Sequence, residues 1–358
     1  MARAPTRLKD IALATGFSTN TVSLALHESP RIPSRTRDLI LATARELNYL
    51  PNHVAQSLVS RQTKTIGLVL TDIMNPTLSS AARSIERELA ALGYRLMLAA
   101  TDNLIAKERE AIDVFRSRQV DGMLIYASSH RELDHLRPLR DAGYPLVLLV
   151  ADPDAGIDVV GVDDRRGAYN AVMHLVGLGH RAIAFLDAAR PLGNSEKYEG
   201  YEWALRSKGV PVDPKLVINV RGHAATDGHR AVGELFDRGR RPTSLFASND
   251  SLAIGALRWC RDNRLRVPED LAIVGYDDIE ASDFVEVPLT TVHYAADTVS
   301  RLAVSRLLTL INTPDRLPAP EVNLIDPPLV IRKSCGASLA ARSDVRHKSG
   351  GPSGRKKR

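Results

Sequence analysis

The chain has 358 residues, of which 44% are hydrophobic and 25% charged, with a formal net charge of +6. That length is too great for one ordinary domain, and the composition is that of a water-soluble globular protein. No apolar run reaches the roughly 18–20 residues needed to cross a bilayer, no apolar segment follows the N-terminal arginines as a secretion leader would require, and Cys260 and Cys335, the only cysteines, have no metal-ligand spacing, so a reducing cytoplasm is expected and no cofactor or metal.

Residues 8–26, LKDIALATGFSTNTVSLAL, have the layout of a helix-turn-helix. Ile11, Ala12 and Thr15 would share one face of a first helix. Gly16 sits where that helix must stop, because glycine accepts the left-handed backbone of a tight turn. Ser18 can cap the next helix by accepting a bond from one of its free N–H groups. That helix would turn Val22, Ala25 and Leu26 inward and leave Thr19, Asn20, Ser23 and Leu24 outward. In such a motif the second helix enters the major groove. A third helix is expected over 35–47, capped by Ser34, with Leu39, Ile40, Ala42, Thr43 and Leu47 at core spacing. The stretch PNHVAQSLVS at 51–60 carries no acidic residue, and a helix of about ten residues is marginal in water without a partner.

From Lys64 the pattern becomes strands alternating with helices. Strands are expected at 65–70, 95–100, 122–126, 146–150 and 159–162. Helices are expected between them at 76–92, 105–117 and 131–142. The rhythm repeats with strands at 182–186, 216–220, 244–247 and 271–275, and helices at 166–178, 195–208, 226–238 and 251–264. Such alternation makes right-handed βαβ units and doubly wound parallel sheets, and two blocks in succession make two similar lobes. A strand at 290–292, a helix at 296–310 and a strand at 322–331 are too few for a further lobe. Residues 336–358, rich in Ser, Gly, Lys and Arg, read as a disordered basic tail.

Charge is unevenly placed. Residues 1–64 carry +5 and residues 332–358 carry +8, which leaves −7 on the middle of the chain. A basic head on an acidic body suits a protein whose head meets phosphate. Catalytic motifs are missing: there is no G-x-S-x-G, H-E-x-x-H, P-loop or C-x-x-C. The G-x-G at 177–179 lies between a helix and a strand, the reverse of the order a dinucleotide loop needs. A non-enzyme is expected.

These segments together resemble the LacI family of bacterial transcriptional regulators. The resemblance rests on the helix-turn-helix, NYLPNHVAQSL, KTIGLVLTDIMNP, GHRAIAFL, FASNDSLAIGALR, VPEDLAIVGYDD and LTTV, collinear over about residues 6–333. It implies an all-α headpiece (1–50), a hinge helix and linker (51–63) and a two-lobed core resembling periplasmic sugar-binding proteins (64–335). The first lobe would hold about 64–162 and 293–323, and the second about 163–292 and 324–335. The chain would cross between lobes near Asp163, His293 and Leu324. The implied function is that of a homodimeric repressor, or a dimer of dimers. It would bind near-palindromic double-stranded DNA under control of a small effector, a sugar or sugar derivative, in the inter-lobe cleft. The rival is a solute-binding protein of a transport system, which would need a secretion signal and no headpiece.

The resemblance also names residues. Thr19 and Asn20 are the expected base readers, since Asn can pair bidentately with adenine. Leu24 stands where relatives often have an arginine, and it can touch only a thymine methyl or a sugar. Thr6, Ser18, Thr21, Ser23 and Asn52 are expected on phosphates, with His53 and Ala55 beside them in the hinge. Leu58 would wedge between base pairs from the minor groove and kink the duplex. Asp72, Asn75, Lys197, His223, Asn249 and Asp277 are expected to reach the effector. Asn249 and Asp277 also suit plain cap or turn roles. Lys197, where relatives often carry arginine, suggests an anionic ligand. Ala296 falls near a position that is often phenylalanine, so the aromatic wall used to stack sugars is thin.

Overall fold

The computed structural model describes residues 6–50, 62–150, 154–313 and 317–337. The chain divides into two compact units, with the division between Thr63 and Lys64.

The first unit contains α1 (Leu8–Thr15), α2 (Thr19–Leu26) and α3 (Ser34–Glu46). Gly16 ends α1 at φ 73° and donates its N–H to the Ala12 carbonyl. Ser18 caps α2, its hydroxyl accepting from Thr21 N at 3.1 Å. The core is Ile11, Val22, Ala25, Ile32, Ile40 and Ala44. Two expectations about α3 need correction. Pro33 occupies the cap position, and Ser34 is the first helical residue. The buried face runs through Ile40 and Ala44, while Leu39, Ala42 and Leu47 are exposed. The reason is Arg37. It lies one turn before Ile40 on the inner stripe, where its guanidinium donates to the carbonyls of Ser29 and Ile32 at 3.1 Å each and pins the preceding loop. A charged residue on the inner stripe shifted the apparent hydrophobic face sideways.

The second unit contains two six-stranded sheets. In the first, β1 (Thr65–Leu70), β2 (Arg95–Ala100), β3 (Gly122–Ile125), β4 (Leu146–Leu148), β5 (Asp158–Val162) and β11 (Val322–Ile325) lie in the order β11-β5-β4-β3-β1-β2. In the second, β6 (Ile183–Asp187), β7 (Val217–Asn219), β8 (Ser244–Ala247), β9 (Ala272–Asp277), β10 (Thr290–His293) and β12 (Leu329–Val330) lie in the order β12-β10-β9-β8-β6-β7. The two orders are the same, so the lobes repeat one plan. All pairings are parallel except that of β12 with β10. Burial on both faces explains the continuous apolar runs. Ile66, Leu68 and Leu70 of β1 face α4 (Pro76–Ala91) and α12 (Ala296–Ile311), and Val69 faces α5 (Ile105–Ser117). The second sheet is covered by α7 (Asp164–Gly177) and α8 (Glu196–Ser207) on one face. Helices α9 (Ala225–Asp237) and α10 (Asp250–Asp262) cover the other. These last two press together so closely that a Cβ at Gly255 would overlap the Ala225 carbonyl oxygen.

Two elements depart from expectation. The helix read at 131–142 is only α6 (Arg137–Asp141), because Pro138 is tolerated in a first turn and not in a helix interior. Upstream of it, Leu133 and Leu136 are buried without helical support. The strand read at 322–331 is two strands in two sheets. Asp326, Pro327 and Pro328 break it, since proline has no N–H for a ladder. The chain therefore crosses from the first sheet to the second after Val162, returns to the first after His293, and passes to the second again between Ile325 and Leu329.

Candidate functional site

In doubly wound sheets a ligand sits outside the carboxyl ends of the strands. Here those ends from both sheets face one cavity of about 170 Å³. Asp72, Asn75, Lys197, His223, Asn249 and Asp277 all line it. Ala296 does not, but Tyr294, two residues earlier, does, with Tyr126 opposite; their hydroxyls lie 3.0 Å apart.

Each side chain is placed by a local rule. Asn75 caps α4 by accepting from Thr77 N at 3.0 Å. Asp72 accepts from Met74 N at 2.8 Å and shapes the loop after β1. Asn249 caps α10 by accepting from Leu252 N at 2.7 Å, which leaves its amide nitrogen beside His223 Nδ1 at 3.4 Å. The cap roles of the two asparagines are thus structural facts, and both residues still border the cavity. Asp277 ends β9 with φ 108°, and Asp278 follows at φ 57°. Two consecutive non-glycine residues at positive φ store strain, and strain persists only where neighbours over-determine it. The neighbour is Asp250, buried at the start of α10. Its carboxylate accepts from Ile279 N (2.9 Å), Ser282 Oγ (2.7 Å) and Thr291 Oγ1 (2.5 Å), which locks the loop after Asp277.

The electrostatics are acidic. Asp72, Asp164, Glu196 and Asp277 line the cavity, and among the described residues Lys197 is the one Lys or Arg that does so. Lys197 Nζ donates to the Ser248 carbonyl at 3.0 Å, lies over the Tyr276 ring at 3.7 Å and stands 3.9 Å from Asp164. Its charge is therefore already engaged. Burial first, then the approach of Asp250 and Asp164 against the opposing pull of Lys197, pushes Asp277 up to about 7. Burial and the Lys197 charge lower the pKa of His223, which favours the neutral ring. Lys197 by itself therefore gives little ground for expecting an anionic ligand.

Sequence reasoning missed three contributors. Thr77 is 8% exposed, borders the cavity, and its hydroxyl has no hydrogen bond of proper geometry. Asp164 opens α7 directly after a crossing. On one side of the cleft His130 Nδ1 meets Glu196 Oε1 at 3.0 Å, Asn194 accepts from His130 N at 2.9 Å, and Arg131 donates to Ser195 Oγ at 3.0 Å. This joins the loop after β3 to the start of α8, lobe to lobe. Burial acts to raise the Glu196 carboxyl, but the hydrogen bond and charge of His130 more than offset it, and the net shift is downward. Removing His130 leaves a part-buried carboxylate unpaired, so His130→Ala should lower stability by about 1–2 kcal/mol in a urea titration. An unchanged midpoint would mean that the pair does not hold the lobes.

In the headpiece, Thr19 and Asn20 are exposed at the start of α2. Ser18 and Thr21 share a 2.9 Å hydroxyl contact, and Ser23 is half-buried. Thr6 donates to the Leu47 carbonyl at 2.7 Å, tying the N-terminal arm to the end of α3. Leu24 differs from expectation: it is half-buried and packs on the headpiece core. Asn52, His53, Ala55 and Leu58 lie outside the described residues.

Residues 7–52 match the model for bacterial regulatory proteins of the lacI family, and residues 172–335 match a periplasmic binding protein-like domain. The chain is 33% identical over 337 residues to the HTH-type transcriptional repressor PurR of Haemophilus influenzae (strain PittEE), covering 93% of this chain and 99% of that one. The chain belongs to the LacI family. It is also 32% identical over 334 residues to the HTH-type transcriptional regulator DegA of Bacillus subtilis (strain 168), covering 92% of this chain and 98% of that one. Among solved structures it resembles the Lac repressor dimer bound to operator and the anti-inducer ONPF, with a TM-score of 0.83 and 26% identity over 92% of this chain and 99% of that one. It also resembles the CelR–cellobiose complex, with a TM-score of 0.69 and 27% identity over 92% and 99%. These LacI-family relatives are transcriptional regulators and not enzymes. No helix among the described residues is long and apolar enough to cross a membrane.

Proposed function

We propose that the protein is a transcriptional repressor that binds a near-palindromic operator as a homodimer and is controlled by a small molecule held between its lobes. One observation carries this reading. A helix-turn-helix with an exposed reading edge and a cavity bordered by both lobes stand on the same chain. The headpiece supplies DNA contacts, with Thr19 and Asn20 on base edges and Thr6, Ser18, Thr21, Ser23 and Asn52 on phosphates. The packing of Leu24 leaves it at most an apolar contact with a thymine methyl. The cavity supplies the switch. A ligand that binds one lobe arrangement more tightly shifts the population toward it, and the shift in operator affinity equals that difference. Asp72, Asn75, Lys197, His223, Asn249 and Asp277 are the proposed ligand contacts. A cavity below the roughly 300–1,000 Å³ of drug-sized sites suits a small carbohydrate or derivative.

Selection of binding sites from random duplexes tests the reading. The expected product has two half-sites about one helical turn apart. Enrichment of asymmetric sites only, or of none, would contradict it. With the selected duplex, Leu58→Ala should weaken specific binding and reduce bending in a circular-permutation gel, while low-salt non-specific binding persists. Wild-type bending in that variant would reduce Leu58 to a packing residue.

A further inference from the structure

We infer that the cavity is built for a ligand carrying a protonated amine, an amino sugar or a comparable hydroxyl-rich ammonium compound, with Asp277, Asp72 and Thr77 receiving the cationic group. This rests on the cavity being the effector site. Three independent features of the cavity carry it.

The first is the charge count. Among the described residues, four carboxylates line a small cavity against one ammonium. Glu196 is matched by His130 across the cleft. Lys197 is held to Ser248 and to the Tyr276 ring, within reach of Asp164. Asp72 and Asp277 are then left facing the cavity with no salt bridge among the described residues, although the Lys197 charge still acts on Asp277. Concentrated negative charge at a partly buried site is costly until a counter-charge arrives.

The second is Thr77. Its buried hydroxyl borders the cavity close enough to Asp277 to lower that carboxyl's pKa, yet it forms no hydrogen bond of proper geometry. A hydroxyl in that position can accept from an ammonium N–H while Asp277 accepts another. An anionic ligand would meet the carboxyls of Asp72 and Asp277 in the same cavity.

The third is the state of Asp277. The groups around it are Asp278 just beyond the end of its strand, Asp250 from α10, Asp164 from α7, Lys197 from α8 and the Thr77 hydroxyl from α4. Burial and the two neighbouring aspartates hold its proton on to about pH 7. An arriving ammonium reverses that balance, so Asp277 releases a proton as the ligand binds. A neutral sugar supplies no charge and would leave the proton in place.

The experiment uses the full chain and two matched sets: D-glucosamine, D-glucose and D-glucuronate, then D-galactosamine, D-galactose and D-galacturonate. Melting temperature is read for each, followed by calorimetry in two buffers of different ionisation heat. The amine of one set should bind about tenfold or more tighter than its hydroxyl counterpart, with the uronate weakest. Net proton release should accompany amine binding below the amine's own pKa, where the ammonium is already formed, and amine affinity should rise with pH towards Asp277's pKa and fall once the free amine loses its proton. Thr77→Val and Asp277→Asn should each reduce amine binding. If the neutral or anionic member binds as tightly as the amine, and those variants abolish it, the charge assignment fails while the effector cavity stands. If the amine stabilises wild type and both variants equally, the ligand lies elsewhere and the effector cavity itself fails. If neither amine binds, the amino-sugar assignment is overturned.

Discussion

Asp277→Asn should make the empty protein more stable at about pH 8 and leave it nearly unchanged at about pH 4. Asp277 is raised from an ordinary 3.8 to about 7 in the folded chain. Between those values the native state keeps a proton that the unfolded chain has released. The native state binds more protons there, so stability falls as pH rises from about 4 to about 7, and the deficit persists above 7. At roughly 1.4 kcal/mol per tenfold change in proton affinity, the full separation sets a ceiling of about 4 kcal/mol. Asparagine keeps the shape and removes the charge, so the variant should recover part of that at pH 8 and none at pH 4. Thermal melts at the two pH values decide it. An equal loss of stability at both would mean that Asp277 is an ordinary structural carboxylate. A binding-site residue that costs stability while empty is expected where function opposes folding.

Asp158→Ala should destabilise the first lobe by about 3–5 kcal/mol. Asp158 is fully buried on β5. One oxygen accepts from Arg140 Nε of α6 at 3.1 Å, and the other accepts from Arg306 Nε of α12 at 2.7 Å. Arg140 also donates to the Pro318 carbonyl, and Arg306 to Glu321 at 2.5 Å. Arg306 belongs to the helix that returns to the first lobe after β10, so this carboxylate stitches the returning segment to the sheet. Alanine leaves the mostly buried Arg140 guanidinium without a carboxylate and takes one of two from Arg306, which is why the expected loss far exceeds that of a surface pair. Urea unfolding measures it. A loss below about 1 kcal/mol would mean that solvent reaches the arginines and replaces the carboxylate.

What the sequence made legible follows from what has a local signature. Gly16 and Ser18 mark a helix stop and a helix cap by their own chemistry, and both roles hold. Strands buried on two faces read as apolar runs, and the βα rhythm followed from them. Where a local rule was overridden, the reading failed: Pro138 shortened a helix, Asp326-Pro327-Pro328 split a strand between two sheets, and Arg37 displaced the apparent core face of α3. At the cavity, the six residues carried over by resemblance come together, because strand ends in a repeated topology converge whatever their spacing. Long-range pairs, at the cavity and away from it, carry no local signature. His130 and Glu196 are 66 positions apart, and Asp158 and Arg306 are 148 apart. No periodicity relates such pairs, and each partner alone reads as an exposed charge. Asp250 stands at a helix start, and only the folded loop shows that it holds the segment after Asp277 in place.

The central claim is that ligand in the cavity and DNA at the headpiece are thermodynamically linked in one chain. The direct measurement is the dissociation constant for the selected duplex, at fixed salt, with and without a ligand that raises the melting temperature of the full-length protein. The account predicts a change of roughly 5–150-fold in wild type and none in Asp277→Asn. A cavity ligand that leaves operator affinity unchanged in wild type, or that alters it equally in Asp277→Asn, would contradict it.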